Sequence, residues 1–185
     1  MNYIDRLTQA LQHQLRHPWS HNRSGGERVW FLVFEAEKTR AVIARKEAFR
    51  QATEAAGKNW AEIDITDAFG GWMASHRYSD RYFARPERAR TLFDDFTQSV
   101  AQDIRNDITE RSLDKDTLLA LMGAESLYGI DKLSHLIRLV EDAIPGRLLV
   151  FFPGHYDEPQ YRLLDARDGW NYLAVPIVPA DGKGN

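Results

Sequence analysis

Residues Arg147–Val178 read R-L-L-V-F-F-P-G-H-Y-D-E-P-Q-Y-R-L-L-D-A-R-D-G-W-N-Y-L-A-V-P-I-V. The stretch opens on an unbroken apolar run, Leu148–Phe152, closed by Pro153-Gly154. A short apolar run ended by a breaker predicts a strand buried on both faces. Two shorter strand-like pieces follow, Tyr161–Leu164 and Asn171–Val175, joined by the turn-like Ala166–Gly169. They follow each other too closely for a helical crossover, which predicts a short antiparallel C-terminal extension.

Upstream, Val29–Phe34 and Thr117–Met122 are the same kind of continuous apolar run. Together with Leu148–Phe152 they are expected as adjacent central strands of a parallel sheet. Trp60–Ile65 alternates, with Ala61, Ile63 and Ile65 opposing Trp60, Glu62 and Asp64, and so suits a sheet edge. Helical patterns separate these strands. Ile4, Leu7, Leu11 and Leu15 mark a first helix ended by Pro18. Thr39–Ala56 carries Val42, Phe49, Ala52 and Ala56 on one stripe, with Gly57 just past its end. Arg85-Pro86 opens a long helix through Leu92, Phe96, Val100, Ile104 and Ile108. A further helix, Asp131–Ala143, turns Leu133, Leu136, Ile137 and Val140 inward. The expectation is α/β: a mostly parallel sheet flanked by helices on both faces, in one domain over residues 1–178. Residues 1–17 pack on it as a helix, and 179–185 read as a disordered tail.

Composition narrows the function classes. The chain has 185 residues, 43% hydrophobic and 28% charged, with a net charge of −3. That balance gives no global push toward nucleic acid or membrane. Without cysteine there is no disulfide, thiol nucleophile or thiolate metal site. The opening M-N-Y-I-D-R-L-T-Q-A does not read as a signal peptide, and no apolar run approaches the ~20 residues of a membrane span. A cytoplasmic protein is the expectation.

Chemistry-bearing patterns are sparse. Neither G-x-x-x-x-G-K-[ST] nor G-x-G-x-x-G occurs, so no nucleotide cofactor is expected. The ligand end of an open α/β sheet lies beyond the carboxyl ends of its strands. There the sequence places Glu35, Asp64, Asp67, Gly123, Glu125, His155 and Asp157. Carboxylates in that position either converge on a divalent cation, cap the next segment as Asp67 can before Ala68, or face water. Gly123 and Gly129 bracket a strand-to-helix turn fit for an anion or simply for a tight connection. His13 and His17 share a helical face, but His21 lies past Pro18 and no fourth ligand is evident. Ser126 lacks a G-x-S-x-G elbow. Trp170 and Tyr172, beside Arg167 and Asp168, either close the core or form a docking surface.

The sharpest charge feature is Arg77–Arg90, with arginines at 77, 81, 85, 88 and 90 interleaved with Tyr78, Tyr82 and Phe83. Such a segment can grip a nucleic-acid backbone, form an interface hot spot, or be a solvated loop neutralised by Asp80 and Glu87. Arg77, Arg81, Tyr82 and Arg85 are the candidate partner-binding residues.

Several stretches together carry a family resemblance: F-F-P-G at 151–154, Y-R-L-L-D-A-R-D-G-W-N-Y-L-A-V-P-I at 161–177, Arg28–Phe31, Asp64–Phe69 and Pro18-Trp19. On these the chain resembles the BrxB proteins of bacterial BREX phage-defence systems. The resemblance implies a small non-catalytic subunit working beside larger BREX proteins, among them the alkaline-phosphatase-like PglZ. It supplies no catalytic residue and no cofactor. Self-association is compatible with it, and the alternative is a nucleic-acid-binding accessory using Arg77–Arg90.

Overall fold

The computed structural model describes residues 1–20, 25–75, 84, 85, 87, 89–164 and 172–180. Their helices are α1 (Tyr3–Leu15), α2 (Thr39–Ala44), α3 (Lys46–Ala55), α4 (Ala68–Ser75), α5 (Ala89–Glu110) and α6 (Leu133–Val140). Their strands are β1 (Val29–Phe34), β2 (Asn59–Asp64), β3 (Thr117–Met122), β4 (Arg147–Asp157), β5 (Gln160–Leu163) and β6 (Val175–Ile177).

The sheet runs β2-β3-β4-β1-β6, with every neighbouring pair in that order parallel. The three apolar runs are therefore adjacent and central. All six residues of β1 and of β3 are buried, while β2, exposed at both ends, stands at the edge. Alternate side chains feed two cores, one on each face of the sheet. Phe31, Leu121, Val150 and Phe152 pack with α5 and α6, through residues such as Phe96, Ile104, Leu136 and Val140. Trp30, Leu32, Leu149 and Phe151 pack with α1, α2 and α3, through Leu7, Leu11, Val42 and Phe49.

Local chemistry sets the helix ends. Asn2 Oδ1 accepts from the Asp5 backbone N–H at 2.9 Å while Asp5 Oδ2 accepts from Asn2 N–H at 3.3 Å, a reciprocal N-terminal cap on α1. After α3, Gly57 N–H donates to the Glu54 carbonyl and Lys58 N–H to that of Thr53, the paired bonds that close a helix on a glycine.

The structure departs from the sequence expectation in several places. Strand β4 does not stop at Pro153-Gly154 but runs on to Asp157. Its pairing with β3 ends at Leu121↔Val150, so on that side the missing Pro153 N–H leaves no gap in the ladder. The outer half of β4 then pairs antiparallel with β5, from Gly154↔Leu163 to Asp157↔Gln160, as the antiparallel extension expected. The last strand differs. It is Val175–Ile177 rather than Asn171–Val175, and it lies parallel to β1, with Trp30↔Val175 and Leu32↔Ile177. Tyr172 packs on Phe31 over the first face before the chain enters β6.

The expected helix 39–56 is two helices, broken at Arg45, with Val42 and Phe49 still buried together and Ala56 exposed. The long helix begins at Ala89 among the described residues, and Arg85 lies outside it. The helix expected from Asp131 starts at Leu133 and gives way to a 3-10 turn at Glu141–Ala143. Residues 181–185 of the expected tail lie outside the described residues. Among the described residues, no helix is long and apolar enough to cross a membrane.

Candidate functional site

The loops after β2 and β3 meet at the carboxyl end of the sheet. Asp64 Oδ1 accepts from the Thr66 backbone N–H at 2.9 Å and from its hydroxyl at 2.6 Å. Ile65 N–H donates to the Met122 carbonyl, and Ser126 Oγ donates to the Ile65 carbonyl at 3.1 Å. Gly123 sits between them with φ +86°, and a Cβ there would lie 2.4 Å from Thr66 N. The glycine serves a close backbone approach in a left-handed conformation. Asp64 closes a turn onto Thr66 within its own loop, and Ser126 ties that loop to the one after β3.

The other strand-end candidates are dispersed. Glu35 is exposed and its backbone N–H donates to Tyr3 Oη. Asp67 is exposed, and its backbone carbonyl accepts from Gly71 N–H at the start of α4. Glu125 contributes a backbone carbonyl to the turn at Tyr128. His155 and Asp157 stand on the β4–β5 ribbon, where Asp157 lies 3.9 Å from Arg162 Nε. His13 and His17 do share a face of α1, edge to face at 5.4 Å, and both are exposed.

Three other side chains do converge at this pole. Asp94 of α5 meets Asp131 and His135 at the start of α6, with ligand atoms within 4.8 Å of one another. Asp131 Oδ2 accepts from Thr97 Oγ1 at 2.6 Å and lies 2.7 Å from His135 Nδ1, while Oδ1 accepts from Lys132 N–H at 2.7 Å. His135 Nε2 faces Asp94 Oδ1 at 3.9 Å. Asp131 thus fixes the orientation of the imidazole, leaving its other nitrogen facing Asp94. Only the Asp131/His135 spacing of four, just ahead of an apolar helix, signals this in the sequence. Asp94 comes from a separate helix with no local cue.

Burial raises the Asp131 carboxyl pKa, but hydrogen bonds from Thr97, His135 and Lys132 outweigh it, so the net position is below the ordinary 3.8. A carboxyl depressed on folding adds stability that is complete above its unfolded value and is lost as pH falls through its folded one. The stability gap between the parent and Asp131→Asn should therefore shrink as urea melts move from about pH 6 to about pH 3. A gap that stays constant across that range would mean Asp131 has no charge-dependent role in the fold.

Of the candidate partner residues, Arg85 is exposed, whereas Arg77, Arg81 and Tyr82 lie outside the described residues, as do Asp165, Arg167, Asp168 and Trp170. In the tail, Tyr161 is buried against Phe31, Phe152 and Tyr156 and donates to the Ala174 carbonyl. Tyr172 stacks on Phe31 and donates to Glu141. Burial first, and for Tyr172 also the Glu141 contact, pushes both phenols well above their ordinary range. These tyrosines close a core. Between them and β6, Leu173 is 84% exposed. Comparison of the chain with family profiles, curated proteins and solved structures finds no match.

Proposed function

We propose that this chain is a non-catalytic interaction subunit of a BREX phage-defence assembly, binding a larger BREX protein such as PglZ. The observation that carries the reading is the stretch 147–178, whose sequence resembles the BrxB tail. Four of its five described aromatics, Phe151, Phe152, Tyr161 and Tyr172, lie in the core, and the half-buried Tyr156 packs against it. A motif of that kind supports a shared scaffold rather than a shared reaction, because its residues are used for packing. The scaffold leaves contact chemistry at its surface: the exposed Arg85, next to an arginine- and tyrosine-rich sequence, and the exposed Leu173. Arginine and tyrosine are enriched among the residues that dominate interface energies.

The test is a pull-down of tagged PglZ with the parent chain and with a variant carrying Arg81→Ala, Tyr82→Ala and Arg85→Ala. Capture of the variant should fall by about tenfold or more, as when a pair of interface anchors is truncated. Its melting temperature should be unchanged. Equal capture of parent and variant would remove this patch from the interface.

A further inference from the structure

At the opposite pole, a cavity of about 380 Å³ opens by the amino ends of β1 and β4, beside the end of α1. Gln14, His17, Trp19, Glu27, Trp30 and Arg147 are among its lining residues. Its volume falls in the range of small-molecule sites.

The wall combines a buried cation with donors that have no acceptor. Arg147, the first residue of β4, is 3% exposed. Its guanidinium donates to the Gly146 carbonyl at 3.1 Å and the Ser20 carbonyl at 3.0 Å, and lies 5.2 Å from the Trp19 ring centre. Lys58 Nζ is 4.5 Å from the same ring, so two cations attend one indole. Trp30 is 2% exposed, and its indole N–H has no hydrogen-bond partner; nor has that of Trp19. Buried donors are nearly always paired, and two orphans on one cavity call for an acceptor. The two indoles meet edge to face at 5.7 Å, offering an aromatic wall beside those donors.

We propose that this cavity binds a small aromatic carboxylate. The carboxylate oxygens accept from the indole N–H groups beside the Arg147 charge, and the ring packs against Trp19 and Trp30. A monoanion suits the site better than a phosphate dianion. Glu27 stands at the exposed rim, and the negative end of the α1 dipole points toward the same region. Both indole nitrogens are shielded from solvent in the free protein, so the ligand gains them as the Trp19 side chain, which lies outside regular structure, turns to face it. The site does not depend on the assembly role proposed above.

Benzoate is the probe, titrated into the full chain by calorimetry and by tryptophan emission. Saturable binding with a change in emission is expected, and neutral benzyl alcohol should bind at least about tenfold more weakly, having lost the charge-assisted bonds. Trp19→Phe keeps a ring but deletes one donor and should weaken benzoate by about fivefold to tenfold, the usual worth of one hydrogen bond. Arg147→Gln should abolish binding if its melt shows a folded protein, and Trp19→Phe carries the test on its own if it does not. No binding up to about 10 mM benzoate, far weaker than millimolar affinity, overturns the proposal. So does equal affinity in Trp19→Phe. Tighter binding of phenyl phosphate than of benzoate overturns the assignment to a carboxylate.

Discussion

Replacing Phe151 by alanine is expected to destabilise the protein by about 3–5 kcal/mol, the usual range for truncating a buried phenylalanine. Phe151 is 1% exposed on the central strand β4. Its ring meets Phe49 of α3 at 5.6 Å and Phe34 of β1 at 6.5 Å, both edge to face. Alanine would leave a hole between sheet and helix, and two rings would lose a partner each. β1 and α3 are held by separate hydrogen-bond frameworks, so the site has little freedom to collapse. For a chain of this length the cost corresponds to a fall in melting temperature of roughly 10 °C. A shift of only a degree or two would place Phe151 outside the load of the second core.

Gly154→Ala should be nearly as damaging, for a different reason. Gly154 pairs with Leu163 across the β4–β5 ribbon. A Cβ at Gly154 would sit 1.9 Å from the Arg162 carbonyl oxygen, 2.9 Å from its carbon and 3.0 Å from Leu164 N. All three atoms are backbone, so no side chain can swing aside, and the strands themselves must separate. Overpacking commonly costs about 1–3 kcal/mol, and the backbone clash favours the upper end. Separation would also lift Tyr161, buried one residue before Arg162, away from Phe31 and Phe152. The expected result is a lowered melting temperature together with faster hydrogen exchange across residues 160–163. Gly71→Ala is the control, since a Cβ on that glycine of α4 meets nothing within 4 Å. Equal melting temperatures for the two variants would contradict the tight β4–β5 contact.

Sequence legibility followed the physics of each element. β1, β3 and the inner half of β4 were readable because burial on both faces demands a continuous apolar run, and only a parallel central position explains one. The edge position of β2 followed from its alternation by the same argument. β6 was misread because Asn171–Val175 has strand-like composition, while its pairing partner is set by where Tyr172 docks, a contact with Phe31 on a distant strand. Pro153 looked like a terminator because sequence alone does not reveal that β3 stops pairing at Leu121↔Val150. The Asp94, Asp131 and His135 cluster was only half legible for a similar reason, since Asp94 joins the Asp131/His135 pair only where α5 packs beside α6. The Trp19, Trp30 and Arg147 cavity joins the end of the first helix to the start of two strands. Nothing in their spacing predicts that meeting.

In the proposed function this chain acts by binding a larger BREX protein. The most direct measurement mixes the purified chain with purified PglZ and follows the mixture by size-exclusion chromatography with light scattering. The expected result is a new peak whose mass is the sum of the two partners in a fixed ratio. Two separate peaks at the masses of the free proteins, at every concentration and salt level tried, would contradict it.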